Sequence, residues 1–588
     1  MLRARVLDEQ PGRIPELHRR ASDWYEDNGE RSEAIDHALA AGDVARAADL
    51  VELAIPALRQ GRQEATLRRW LEALPDELLH VRPVLSVGYV GALMTFGELE
   101  GVEARLRDAE RLLATGTGDQ TVSRTAAAEM VVVDEAEFRR LPSAIAVYRA
   151  GQARILDDVA GTMSHARRAL DLVGEDDPSR RGAAAALLGL AYWTTGDLGA
   201  AHRWYADGMA SLERAGYLSD VVGGAVTLAD IRIAQGRLRQ AMSTYERGLQ
   251  RAEQATPVLR GAADMHVGLS DLFRERNDLE AAVQHLQRSR ELGEHNGLPK
   301  NPYRWRVGMA RVRQAGGDLG AAVDLLDEAE RLYTGDFSPD ARPVAALRAR
   351  VWIAQGEWAR ALDWAHERGL SVDDELSYLR EFEHITLARA LLAQPTATRS
   401  TDAVTSFVQR LLRAADEGER TGTAIEVLVL QALAHQAHGD LPAALASLRR
   451  AVTLAEPEGY VRVFADEGPP LAPLLRALAR KGTAPGYVRR LLAALQSTAG
   501  SPPVDQGVIE PLSERELEVL RLLGSDLDGP AIARELVVSL HTVRTHTNHI
   551  YAKLGVNSRR AAVRRAGELA LLSRARGHRP GGAVLDDR

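Results

Sequence analysis

From Glu535 to Val563 the chain reads ELVVSLHTVRTHTNHIYAKLGVNSRRAAV, and its chemistry-bearing side chains fall at helical spacing. His541, Arg544, Thr545 and Asn548 recur at intervals that place them on one face of an α-helix, and Ala552 continues it. No carboxylate interrupts that face. Arg offers a fork of donors that suits a guanine edge and Asn can pair bidentately with adenine, so such a face is fitted to reading DNA bases. Val543, His546, Ile550 and Leu554 form the opposite stripe, which is expected to be buried. Ser539 stands where an N-cap belongs. The three histidines could also suggest a metal site, since His541 and His549 lie two turns apart on one face. With no carboxylate or thiol beside them no metal is expected, and His546 reads as a histidine at the edge of the core.

Three further elements would have to position this helix. The segment LSERELEVLRLLG reads as a helix with Ser513 as N-cap, Glu516 as its capping-box partner and Leu517, Leu520 and Leu523 facing inward. In DGPAIAREL, Asp528 is a candidate N-cap and Pro530 is tolerated in the first turn. A short turn, VVS, leads into the quoted helix, and a fourth helix beginning near Ser558 carries Arg559, Arg560, Arg564 and Arg565. Short helices with the third exposing Arg, Thr and Asn are the layout of a helix-turn-helix, whose recognition helix enters the major groove. The alternative is one more amphipathic helix with a solvated polar face.

Charge favours the first reading. The whole chain carries −8, yet from Gly529 to His578 nine basic residues stand against two acidic ones, a local +7 that leaves −15 for the remainder. A small basic module on a large acidic body is the footprint of a chain that meets a polyanion at one end. The polar segment SPPVDQGVIEP, Ser501 to Pro511, separates the two.

The body repeats. Gly196, Gly236, Asn277, Gly317, Gly356 and Gly439 each precede a similar helix start, at steps of 40, 41, 40, 39 and 83 residues, the last being twice the period across a degenerate unit near residue 400. Five residues after each stands an alanine: Ala201, Ala241, Ala282, Ala322, Ala361 and Ala444, with an earlier copy at Gly42 and Ala47. Gly or Asn supplies a left-handed residue that ends one helix, a following Asp can cap the next, and the small Ala allows close approach. Stacked helix–turn–helix units of this length form an all-α superhelix of tetratricopeptide type, with a concave face suited to a peptide, protein or small ligand. Trp193, Trp204, Trp305, Trp352, Trp358 and Trp364 lie in the array and are read as packing between helices, with groove contact as the alternative.

Other chemistry leaves no trace. There is no cysteine, hence no disulfide, thiolate metal site or Cys nucleophile. The three lysines, Lys300, Lys481 and Lys553, lie outside any phosphate-binding P-loop pattern, and no nucleophile elbow, dinucleotide fingerprint or H-E-x-x-H occurs. No catalytic residue, cofactor or metal is therefore expected, and an enzyme hidden in the helical body is the remote reading. The apolar run Pro83 to Gly97 is too short and glycine-rich to span a bilayer and the start has no apolar signal region, so a cytoplasmic protein with no membrane partner is expected.

The segment LSERELEVLRLL…AIARELVVSLHTVRTHTNHIYAKLGVNSRRAAV resembles the LuxR-type DNA-binding domain along its whole length. RIPELHRRASDWYEDNGERSEAIDHALAAGD (Arg13 to Asp43) and EPEGYVRVFADEGPPLAPLL (Glu456 to Leu475) resemble the large MalT-like LuxR regulators. The resemblance implies a bacterial transcriptional regulator, more an activator than a repressor, that binds double-stranded promoter DNA as a homodimer, engages RNA polymerase and receives a ligand or protein partner at its repeats. It places Arg544, Thr545 and Asn548 at base-facing positions, joined on the same face by His541. It places Ser539, Thr542, Lys553 and Arg559 where phosphate or helix-positioning contacts are made, with Arg560 beside them. In full-length relatives a STAND ATPase precedes the segment that here begins at Arg13, so its ATP switch does not carry over to these residues; an in-frame Walker A upstream of Met1 would restore it. One stretch, DLDGPA (Asp526 to Ala531), departs from the family's Gly-Leu-Ser-Asn-Lys-Glu. Pro530 brings no N–H to a phosphate and Asp528 adds negative charge, so weaker and more salt-sensitive DNA binding is expected. A scaffold whose DNA-binding tail is vestigial is the rival reading.

The expected organisation is N-terminal helical repeats over 1–120, the tetratricopeptide-like array over 121–499, a linker over 500–511, the LuxR-type helix-turn-helix domain over 512–578 and a tail over 579–588.

Overall fold

The computed structural model describes residues 11–116, 130–255, 258–293, 296–333, 335, 337–395, 401–500, 514–525, 527–536, 538–554, 556 and 559–568. Among these every regular element is a helix. None is long and apolar enough to cross a membrane. The chain divides into two compact units, Met1–Ser501 and Pro502–Arg588.

The repeat joints of the larger unit are built as their residue types dictate. Gly196, Gly236, Gly317, Gly356 and Gly439 adopt φ of 87°, 80°, 85°, 84° and 84°, and Asn277 adopts 63°, the left-handed region that reverses the chain after a helix. The carboxylates of Asp197, Asp278, Asp318 and Asp440 then accept hydrogen bonds from the backbone N–H three residues on, at 2.9, 3.1, 3.1 and 3.0 Å. Arg237 and Glu357 occupy that place in the other two joints and provide no side-chain cap. All six spaced alanines are completely buried. Complete burial between helices leaves little free space beside each, so a much larger side chain would have to displace its neighbours.

One further unit escapes the sequence pattern. The helices Glu135–Ile155 and Val159–Leu172 are joined by Asp157 at φ 58°, Asp158 caps the second at 2.8 Å, and Thr162 fills the buried alanine position. Asp in place of Gly and Thr in place of Ala conceal the period. The degenerate unit pairs Tyr378–Ala393 with Thr401–Glu417, and residues 396–400 of its joint lie outside the described residues. The tryptophans vary in their surroundings: Trp352 and Trp364 are buried, Trp305 donates to the carbonyl of Leu286 at 2.8 Å, and Trp193 donates to the Tyr378 hydroxyl at 2.9 Å.

That last bond belongs to a larger closure, in which repeats far apart in sequence meet. Gly236 packs against Gly422 so tightly that a Cβ on Gly236 would lie 2.5 Å from the Gly422 nitrogen. The segment Tyr460–Gly468 straps the joint. The backbone N–H groups of Val461 and Val463 donate to the carbonyl and carboxylate of Glu275, at 3.0 and 2.9 Å. Arg462, 2 % exposed, donates to Asp466 at 2.8 Å and to the Asn277 side chain at 3.1 Å. Asp466 also takes Arg274. Within this closed superhelix lies a cavity of about 1080 Å³.

Candidate nucleic-acid interface

The smaller unit contains four described helices, Glu514–Leu523, Gly529–Glu535, Leu540–Leu554 and Arg559–Glu568. Val519, Leu520, Ile532, Val543, Ile550, Ala562 and Ala566 are buried in one core drawn from all four. Val543 and Ile550 fix which side of the third helix faces inward. His546 is half-buried on that side, with its Nδ1 enclosed and unpartnered, as a histidine at the core edge would be. By helical periodicity His541, Thr545 and Asn548 lie half a turn away from Val543 and Ile550, with Arg544 beside them. Of these four, only Thr545 has a described side chain, and it is half-buried; the backbone positions of all four lie in the helix.

The caps form as their residues require. The Asp528 carboxylate accepts from the Ala531 N–H at 2.8 Å, with Pro530 in the first turn. The departure from the usual family sequence therefore still builds a capped second helix. Asp526 and Ser513 lie outside the described residues. The Ser539 hydroxyl accepts from the Thr542 N–H at 3.1 Å and lies 2.8 Å from the Thr542 hydroxyl. An N-cap of this kind contributes about 1 kcal/mol.

Lys553 and Arg559 are used inward. The Lys553 ammonium donates to Glu516 Oε2 at 2.8 Å, with side chains 15 % and 4 % exposed, and so ties the third helix to the first. The other carboxylate oxygen of Glu516 is 3.9 Å from His549 Nδ1, on an exposed ring. The Arg559 guanidinium donates to the carbonyls of Leu523, Leu527 and Ser525 at 2.8, 2.7 and 2.6 Å. It thereby satisfies carbonyls left open where the first helix ends, and holds the turn to the second. Arg515 does the same across the module, reaching the Leu536 carbonyl at 2.7 Å and Glu518 at 2.6 Å. Burial pushes the Tyr551 phenol up, partly offset by Arg559, so it remains a neutral hydroxyl. The Arg560 side chain lies outside the described residues, and Arg564 is exposed.

The sequence signal for the Glu516–Lys553 pair is slight. An acid three residues after a Ser reads locally as half of a capping box, and its true cation is 37 residues away. What was available is the oddity of a lone acid on the apolar side of a helix in a basic module.

A helical-repeat superhelix joined to a helix-turn-helix module defines a class: DNA-binding regulators with a repeat body. Comparison with known families agrees. The model of the MalT-like TPR region matches residues 143–481, more than half of the chain, and that of the bacterial regulatory proteins of the luxR family matches residues 510–566. The chain belongs to the large MalT-like group of LuxR-type transcriptional regulators. Among solved structures it is similar to a Rap protein complexed with competence and sporulation factor, at 11 % identity over 64 % of this chain and 98 % of that one, with a TM-score of 0.45. It is also similar to a STAND protein with a tetratricopeptide repeat sensor from Pyrococcus horikoshii, at 12 % identity over 74 % of this chain and 65 % of that one, TM-score 0.32.

Proposed function

We propose that this transcription regulator is an activator whose closed repeat array receives a ligand or protein partner, and whose C-terminal module then binds promoter DNA as a homodimer and engages RNA polymerase. What carries the reading is one chain joining a cavity-bearing superhelix to a capped, four-helix module whose third helix has an acid-free outer face by sequence. Arg544, Thr545, Asn548 and His541 are the base-reading residues of this proposal. Ser539, Thr542 and Arg560 grip phosphate, whereas Lys553 and Arg559 act by positioning helices. Occupation of the array releases or pairs the C-terminal domains, favouring two half-sites.

A mobility-shift titration of the full chain on its own promoter DNA, at several salt concentrations, tests this. Binding that weakens steeply with salt, and an Arg544→Ala variant that loses preference between sequences, are the expected results. An absent or salt-independent shift refutes the proposal.

A further inference from the structure

The wall of the cavity carries a charge pattern at odds with the acidic body around it. Eight basic and seven acidic side chains line it, among them seven arginines. Six of those arginines are matched to carboxylates. Arg304 lies 3.4 Å from Asp230, Arg311 2.8 Å from Asp271 and Arg350 2.8 Å from Glu426. Arg389 is shared between Glu426 and Glu467, while Arg274 and Arg462 share Asp466. The seventh, Arg342, is exposed and has no ion-pair or hydrogen-bond partner among the described residues.

Arg342 instead stands 5.7 Å from the Phe382 ring, whose face Arg350 covers at 3.6 Å. A cationic group left unpaired beside an aromatic ring and a second guanidinium makes a receptor for a negative head group with a flat or apolar body beside it. The neighbouring charges reinforce this. Burial brings Arg350 down to about 9 in spite of Glu426, with Arg389 and Arg342 acting in the same direction. Arg311 is lowered too, by burial first, against the pull of Asp271 and with Arg274 and Arg342 adding to the lowering. Arg342 thus adds positive charge beside two arginines that burial already disfavours as cations. Tyr378 and Tyr460 also line the cavity and offer apolar surface to the rest of a ligand. The volume is that of a small-molecule site rather than of a folded partner.

The geometry points to an organic anion, a carboxylate or phosphate ester with an aromatic or apolar body, as the ligand of this cavity, its head group held by Arg342 beside Arg350 and Phe382. This rests on the array being the receiving part of the regulator, and names the chemistry it receives.

The test uses the full chain with phenyl phosphate and benzoate as charged probes and benzyl alcohol as the neutral one, read by isothermal titration and by the melting curve. At least one anion should bind, more tightly than benzyl alcohol, and the tighter of the two identifies the head group. Arg342→Gln should weaken that anion about 10- to 100-fold, the effect of losing a hydrogen bond to a charged group. Arg342→Lys should recover part of the loss. Because Arg342 is exposed and holds no hydrogen-bond or ion-pair partner among the described residues, the ligand-free melt of Arg342→Gln should match the parent closely. Failure of both anions to bind, or equal binding by Arg342→Gln, overturns the proposal. A mobility shift with and without probe separates it from the reading beneath it. If an anion binds through Arg342 but leaves DNA affinity unchanged, the anion site stands and the receiving role falls. If benzyl alcohol alone changes DNA affinity, the receiving role stands and the anion falls.

Discussion

Replacing Lys553 by Met separates two roles that a basic residue at the end of a recognition helix could have. A phosphate contact would show in binding. Its loss would lower affinity for every sequence and flatten the slope of log affinity against log salt by about 0.9. The geometry assigns a different role, because the ammonium lies 2.8 Å from Glu516 Oε2 and the carboxylate's side chain is only 4 % exposed. Lys553→Met strands that carboxylate beside the core. Breaking a fully buried pair costs about 3–5 kcal/mol. Lys553 keeps some solvent access, so about 2–3 kcal/mol is the expected loss here. In a unit this small, each kcal/mol lowers Tm by about 4–8 °C, so the drop should be about 10–20 °C.

Scanning calorimetry of the full chain resolves this, since the C-terminal unit is compact by itself and should melt as its own transition. The salt slope of DNA binding by the folded variant should be unchanged. Adding Glu516→Gln to Lys553→Met should restore most of the lost stability, because the stranded charge is gone. A Lys553→Met variant that melts like the parent, with a salt slope lower by about one, would refute the positioning role.

Four further outcomes are expected. Gly236→Ala places a Cβ 2.5 Å from the Gly422 nitrogen at a φ of 80° and should open the closure, whereas Gly317→Ala, at φ 85° with open space, should cost only about 1–2 kcal/mol, as urea unfolding would measure. Arg559→Ala uncovers the carbonyls of Leu523, Leu527 and Ser525 and should lower the C-terminal transition without altering the salt slope. Burial, with His285 next, brings His266 down to about 4, so the unfolded state takes up its proton first: stability should fall as pH drops from 6.5 towards 4, and His266→Asn should flatten that fall in a pH series of unfolding curves. Asp528→Ser keeps a capping oxygen for Ala531 but removes a negative charge, and should tighten binding to all DNA sequences alike in a mobility shift.

These sites differ in how much of them the sequence reveals, and the difference is physical. A left-handed joint needs Gly or Asn, and close helix pairing needs a small residue, so Gly196 with Ala201 and Asn277 with Ala282 advertise themselves at a fixed period. The requirement is a preference rather than a law. Asp157 enters the same backbone region at φ 58° and Thr162 fits the same buried place, and that unit vanishes from the pattern. The apolar stripe of the third helix was legible for the same periodic reason, and so was the acid-free face opposite it. Direction of charge was not. Lys553 and Arg559 look outward-bound in a list of basic residues, yet one is neutralised by Glu516 and the other is spent on carbonyls.

The closure of the array lies further still beyond local reading. Glu275 and Asp466 are separated by most of the repeats, and only the folding-back of the superhelix brings Arg274 to Asp466 and Arg462 to Asn277. Those contacts decide which charges are matched inside the cavity, and hence that Arg342 is the one left over. Sequence gives the composition of the wall, but pairing is a property of the closed fold. For that reason the face proposed to meet DNA is legible from spacing alone, whereas the anion proposed for the cavity rests on knowing which arginine has no carboxylate to hold.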